Sequence, residues 1–220
     1  MNSALKILQD RGFINACTDI DALSDLMDKE KVTFYCGVDP TGASLHIGHI
    51  VPFFAMHHLQ AEGHNPIALV GGGTGMIGDP SGKTEMRKIL SKEQISSNAS
   101  AIMAQLGKIV DFSDNPQPGY GKARMMNNAD WLIGLNYIDF LRDVGVHFSV
   151  NRMLTFEGVK QRLERGLSFI EFNYQLLQSY DYYMLNKLAG DRLQIGGADQ
   201  WGNIVAGIDL VQKLGGPQCY

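Results

Sequence analysis

Apolar residues along this chain follow two rhythms. "VTFYCGV" at 32–38 and "PIALVGG" at 66–72 are near-continuous runs of aliphatic, β-branched and aromatic residues, closed by Asp39-Pro40 and by glycines. Runs of that kind predict strands buried on both faces of a parallel sheet. Between them, from about Ser44 to Gln60, apolar positions recur at helical spacing, and "AEGHNP" ends the helix. After a glycine-rich loop, "SKEQISSNASAIMAQLGKIVDF" predicts a second such helix running towards a further short strand, and "NPQPGYGK" at 115–122 reads as a loop. Residues 130–189 are mostly helical in pattern, with a break near "VGVHFSVN"; "RLQIGG" at 192–197 is a strand, and a helix runs from about 201 to 214. At the N-terminal end, residues 3–28 predict two short helices broken around "RGFINACTD", with Thr18 or Asp19 as the cap of the second. Strand and helix in alternation make α/β with a parallel sheet the expected class. No internal repeat or low-complexity tract interrupts it.

Composition narrows the partners. The chain has 220 residues, 45% apolar and 19% charged, with a formal net charge of -4. That is no electrostatic magnet for nucleic acid or an anionic membrane, so an RNA partner would dock on a local patch or outside this chain. Cys17, Cys36 and Cys219 are scattered and odd in number, which points to a reducing compartment. No apolar run approaches the roughly 18 to 20 residues of a membrane span. "MNSALKILQDRG" has neither the pattern of a signal peptide nor that of a transit peptide, and a cytoplasmic location is expected. The last six residues, "GGPQCY", leave a helix and stop, as a cut chain would.

Two familiar motifs are present in outline only. "GTGMIG" at 73–78 follows a strand and matches the dinucleotide fingerprint, but Asp79-Pro80-Ser81-Gly82 comes next, where a helix should open under the pyrophosphate. "GDPSGKT" at 78–84 is one residue short of a P-loop. A flexible turn explains some of these glycines, but not Asp79, Lys83 and Arg87 just beyond the C-terminal edge of a sheet, where open α/β sheets bind ligands.

Three constellations carry chemistry. "DPTGASLHIGH" at 39–49 puts His46 and His49 three apart where a helix opens, with unpaired N–H groups and partial positive charge. Gly48 between them lets a flat ring or a phosphate come close, and Thr41-Gly42 adds a hydroxyl and a turn. Phosphate contact leads; zinc, which wants three or four ligands, and satisfied structural histidines are the alternatives. In "FIEFNYQLLQSYD" at 169–181, Tyr174, Gln178 and Asp181 share one helical face. That polar stripe needs partners if buried, and is otherwise a solvated face. In "LQIGGADQWGN" at 193–203, Asp199 and Gln200 stand at the mouth of a helix, placed for hydroxyl recognition or for capping.

Taken together, "YCGVDPTGASLHIGH", "ALVGGGTGMIGDPSGK", "FLRDVGVHFSVN" and "LQIGGADQWGNI" resemble, in order, the catalytic domain of class I aminoacyl-tRNA synthetases, specifically the bacterial-type tyrosyl enzymes. The likeness runs from near the N-terminus to residue 220. It implies a Rossmann-like parallel sheet with helices on both faces, binding tyrosine and ATP side by side for attack of the carboxylate on the α-phosphate. Carried over residue by residue, it assigns Tyr35 and Asp181 to the phenolic hydroxyl; Tyr174, Gln178, Asp79 and Asp39 to the α-ammonium; and Thr74 to a place near the amino acid. It assigns His46 and His49 to the phosphates and nucleotide, Asp199 and Cys36 to the ribose, and Gly37, Thr41, Gly48 and Gly197 to the nucleotide as well. Gln200 would lie by the reacting carboxyl, with Lys83 and Arg87 reaching pyrophosphate from a mobile loop. Mg²⁺ would arrive with ATP, held by phosphates, and no protein-bound metal is expected.

The related tryptophanyl enzymes share "PTG…HIGH"-like features, and a non-catalytic tyrosine- or nucleotide-binding module is a reading from another class; Tyr35 with Asp181 favours a phenol over an indole. The family's second, lysine-bearing signature and its tRNA-reading domains are absent from this sequence. The expectation is therefore an N-terminal catalytic portion, residues 1–220, with weak or no activation alone and tRNA(Tyr) as a partner only of the full-length enzyme. The helical region at about 130–165, containing "WLIGLNYIDFLRDVGVHFSVNRML", would be a homodimer interface by the same likeness, or simply an internal core. Pro52, inside the helix that follows His49, departs from the common pattern.

Overall fold

The computed structural model describes residues 1–80 and 90–220, the side chains at 157, 158 and 161 excepted. The chain begins with helices α1 (Ser3–Asp10) and α2 (Ile20–Lys29), and the Asp19 side chain caps α2 by accepting from the Ala22 N–H. Strand β1 (Thr33–Val38) leads to helix α3 (Ile47–Ala61), strand β2 (Asn65–Val70) and, after a short 3₁₀ turn at Thr74–Met76, helix α4 (Lys92–Leu106). Strand β3 (Arg124–Asn127) follows, then short helices α5 (Ala129–Leu132), α6 (Tyr137–Asp143), α7 (Val150–Met153) and α8 (Glu157–Leu163). The long helix α9 (Phe169–Ala189), strand β4 (Asp191–Gln194) and helix α10 (Trp201–Lys213) complete it.

The four strands are parallel, in the order β3-β2-β1-β4. Alternating side chains on β1 explain the two layers. Phe34, Cys36 and Val38 face α1 to α4, in a core with Leu5, Leu23, Met56, Leu59 and Ile102. Tyr35 faces the other way and packs with Ile67 and Leu69 of β2, Tyr182 and Leu185 of α9, and Val211 of α10. A strand covered on both sides has no polar face to show, which is why β1 and β2 read as unbroken apolar runs.

One helix start differs from the sequence reading. The first of the two strand-linking helices starts at Ile47 rather than near Ser44. Residues before it are tied down by Gln105 of α4, whose amide accepts from the Leu45 N–H and donates to the Ala43 carbonyl, so they cannot wind into the helix. As the sequence leads one to expect, the turn at 74–76 opens no helix within "GTGMIG"; the next described helix begins at Lys92. At the far end of α9 the chain reverses through Gly190, whose φ of 68° suits glycine, and enters β4 directly.

The strand order has a consequence for binding. From β1 the chain steps outward to β2 and β3, then returns to the other side of β1 with β4. The connections leaving β1 and β4 therefore diverge, and a crevice opens between the C-terminal ends of these two strands.

Candidate functional site

A cleft of about 470 Å³ occupies that crevice. Its floor is Tyr35, Cys36 and Gly37 on β1 with Gln194 on β4, and its rim carries Asp39, Asp79, Asp199 and Gln200. One wall is α9, presenting Tyr174, Gln178 and Asp181; the opposite wall is the opening of α3, presenting His46, Gly48 and His49. Thr74 lines it too. The three constellations that are far apart in sequence therefore share one opening.

At the deep end, Asp181 is buried and accepts two hydrogen bonds, from Asn128 Nδ2 at 2.8 Å and Trp131 Nε1 at 2.7 Å. Burial pushes its acid up to about 8, against the pull of those two donors. The Tyr35 hydroxyl is buried with no hydrogen-bond partner among the described residues. Burial, then the nearby Asp181 carboxylate, raises Tyr35 well above the ordinary phenol range, so it stays a neutral donor. An orphan hydroxyl beside an anchored carboxylate is a place for a ligand's hydroxyl.

Nearer the rim, Asp39 accepts from Thr74 Oγ1 at 2.6 Å and from Tyr174 Oη at 2.9 Å. Burial and the Asp39 carboxylate lift Tyr174 well above its ordinary range, which keeps that proton in place. Asn128 Nδ2 also donates to Thr74 Oγ1 at 2.9 Å, so a single buried amide ties the deep end to the rim. Gly71 is required here: a Cβ would run into the Asp39 carboxylate and the Thr74 hydroxyl. Gln200 Nε2 donates to Asp79 at 2.7 Å and to Asp199 at 3.1 Å, and Asn203 donates to Gln178 at 3.1 Å. These carboxylates and carbonyls suit a cationic group.

On the opposite wall, His46 caps α3 in extended geometry, and its ring stacks on that of His49, centroids 3.6 Å apart and planes 24° apart. Among the described residues, no group of three or more His, Cys, Asp or Glu side chains is arranged to hold a metal ion. Pro52 and Phe53 line the same wall, and Pro52 brings no N–H to the Gly48 carbonyl one turn earlier, leaving one helical bond unmade beside the cleft. Burial holds the Cys36 thiol up to about 12, so it is not a thiolate nucleophile.

Thr41 is not among the lining residues; its N–H closes a turn onto the Asp39 carbonyl. Lys83 and Arg87 lie outside the described residues. The sequence reading passed over Asn128, Trp131 and Gln194. A polar pair directly after a strand, "NN" at 127–128, was the available signal for the first, since strand ends point to the crevice. A glutamine inside an apolar strand was the signal for the last.

Comparison with known proteins bears on all of this. The model for "tRNA synthetases class I (W and Y)" matches residues 27–219. The chain is 63% identical over its whole length to the tyrosine–tRNA ligase of Borrelia turicatae (strain 91E135), covering 52% of that protein. It is 60% identical to that of Treponema denticola, again over its whole length, covering 53% of it. The chain thus spans about half the length of the curated relatives it matches. Among solved structures, a C-terminally truncated Aspergillus nidulans mitochondrial tyrosyl-tRNA synthetase is similar, with a TM-score of 0.86 and 33% identity, over 96% of this chain and 61% of that one. A Campylobacter jejuni tryptophanyl-tRNA synthetase shares the fold, with a TM-score of 0.58 and 16% identity, over 84% of this chain and 51% of that one.

Proposed function

This chain belongs to the class I tRNA synthetases of the W and Y group, and we propose that its cleft takes tyrosine and ATP side by side and joins them as tyrosyl-adenylate. A carboxylate oxygen of tyrosine forms a bond to the α-phosphorus; the bond from that phosphorus to the bridging oxygen breaks, and pyrophosphate leaves with the electron pair. No enzyme nucleophile is needed, because positioning and compensation of developing negative charge lower the barrier.

The observation that carries this reading is the orphan Tyr35 hydroxyl beside the anchored Asp181. A para-hydroxyl donates a hydrogen bond to Asp181 and accepts one from Tyr35, whereas an indole has no oxygen to offer there. Asp39, Asp79, Tyr174, Gln178 and Thr74 then surround the α-ammonium. His46 and His49, with Gly48 clearing the approach, steady the phosphates; Cys36, Gly37, Gly197 and Asp199 take the nucleoside, with Thr41 close behind them in the chain; and Gln200 meets the reacting carboxyl. Lys83 and Arg87 are assigned to pyrophosphate. Mg²⁺ is read as part of the nucleotide complex, held by phosphate oxygens, and no step is routed through it.

Three further assignments belong to the same reading. The exposed apolar side chains Ile133, Ile138, Val146 and Val150 support a face that meets a second copy of the chain, and light scattering across a dilution series should show a dimer that dissociates. tRNA(Tyr) is assigned as partner of the full-length enzyme. No described helix is long and apolar enough to cross a membrane, and the cytoplasm is the compartment that suits a tRNA partner.

Calorimetric titration with tyrosine, run beside tyrosine-dependent ATP–pyrophosphate exchange, tests the proposal. Saturable tyrosine binding with far weaker phenylalanine binding is expected. No binding, or tryptophan preferred over tyrosine, overturns it.

A further inference from the structure

Gln194 is the partner of Tyr35 in the pairing of β4 with β1, and both side chains line the cleft. Tyr35 lies below the end of its strand: Val38, the last residue of β1, is three positions on, about 10 Å of strand. Gln194 is 6% exposed, and its Oε1 atom is buried with no hydrogen-bond partner among the described residues. The backbone N–H groups around it are used, its own donating to the Tyr220 carbonyl and the next, of Ile195, to the Tyr35 carbonyl. A buried amide oxygen without a donor is costly, and one facing an opening is a place where a ligand supplies the donor.

Counting hydrogens defines that donor. At the deep end, Tyr35 has one O–H to give. Each Asp181 oxygen already accepts one bond and can accept more, and Gln194 Oε1 accepts none. A para-hydroxyl brings one proton and two lone pairs. It can accept from Tyr35 and donate to one acceptor, which leaves the other acceptor to a water held against the same hydroxyl. Phenylalanine brings neither the proton nor the lone pairs, so Tyr35 and Gln194 both stay unpaired when it enters.

We propose that Gln194 is a specificity-determining residue of the phenol end, its side-chain carbonyl accepting a hydrogen bond in the loaded site from one water bound to the para-hydroxyl. This rests on the reading of the cleft as a tyrosine site. Gln194→Met keeps the reach and removes the acceptor; Gln194→Leu is a second acceptor-free variant, so the result does not hang on the folding of one. Tyrosine and phenylalanine are titrated calorimetrically into the unaltered chain and each variant. The tyrosine Kd should rise roughly 5- to 10-fold in both variants while the phenylalanine Kd holds, as loss of one hydrogen bond predicts. A general disturbance of the pocket weakens both ligands alike, and that result, or an unchanged tyrosine-to-phenylalanine ratio, overturns the inference alone. Failure of the unaltered chain to bind tyrosine overturns the underlying reading, and this inference with it.

Discussion

Replacing Asp191 by asparagine should remove a large part of the pH dependence of this chain's stability. Asp191 opens β4, is fully buried, and neither of its carboxylate oxygens has a hydrogen-bond partner among the described residues. Burial lifts its acid well above the ordinary carboxylate range, while Arg124 of β3 pulls the other way. Tyr35 of β1, Tyr182 of α9 and Cys219 of the final segment face it, all raised first by their own burial and then by Asp191 among nearby charges. The sign follows from proton counting. In the unfolded chain the group ionises near 3.9, so from there up to its raised folded value the unfolded state has lost a proton that the folded state keeps. Stability therefore falls as pH rises through that window, by up to ~1.4 kcal/mol per pH unit, and levels off above the folded value. For a chain of this size ~1 kcal/mol moves Tm by roughly 2–4 °C, so the loss is about 3–6 °C per unit. Asp181, pushed up to about 8, adds a slope of the same sign, but it does so in both proteins and cancels in the comparison. Thermal melts of the two proteins between about pH 5 and about pH 8, at matched ionic strength, give the difference curve. The asparagine variant should gain on the unaltered chain steadily as pH rises. A flat difference, or one of opposite slope, refutes the claim that Asp191 is folded in its protonated form.

Other perturbations test the site and its supports. Asp181→Ala should lose most of the preference for tyrosine over phenylalanine, roughly 10-fold or more as one buried hydrogen bond is lost and its partners are left unpaired; an unchanged preference in ATP–pyrophosphate exchange counts against the assignment. Gly71→Ala should push the Asp39 carboxylate off Thr74 and Tyr174, weakening tyrosine binding at least about 10-fold by calorimetry; wild-type affinity would show that Asp39 plays no part. Arg162→Met breaks the buried pair with Glu171, where the guanidinium spans both carboxylate oxygens at 2.9 and 3.0 Å. Urea denaturation should read a loss of about 3–5 kcal/mol, and a loss under about 1 kcal/mol would mean that the pair is dispensable. Burial pushes Glu171 up, yet Ser168 and Arg162 bring it net below its ordinary value, so that pair's contribution is present at neutral pH and fades as pH falls through the acid range.

Local patterns carried the fold. β1 and β2 are legible because burial on both faces forces apolar residues at consecutive positions, and the cap of α2 is legible to within one residue, Thr18 or Asp19, of which Asp19 bonds the Ala22 N–H. β3 was placed only loosely: four residues with an arginine at the start and an asparagine at the end carry little alternation, and its identity as a strand comes from pairing with β2. The start of α3 is not legible for a similar reason. What holds residues 43–45 out of the helix is Gln105, some 60 positions later, and no local propensity announces such a tie.

The site shows the same division, and the strand order explains it. Tyr174, Gln178 and Asp181 could be grouped from sequence because one helix sets their spacing, and His46 with His49 because one helix opening does. That these groups face each other depends on β4 returning to the far side of β1, which places the end of "RLQIGG" against the strand that carries Tyr35. Asn128 and Trp131 reach Asp181 from the end of β3 and from α5, about 50 positions away along the chain. They depend on the same sheet order, with β3 paired to β2 at the edge of the sheet. Residues whose partners lie on their own element were thus found by periodicity, whereas those whose partners are brought by topology were not. The deep end of the cleft is built almost wholly from the second kind, so the roles of Tyr35 and Asp181 there are expected only through the family resemblance, and the supporting amides are not expected at all.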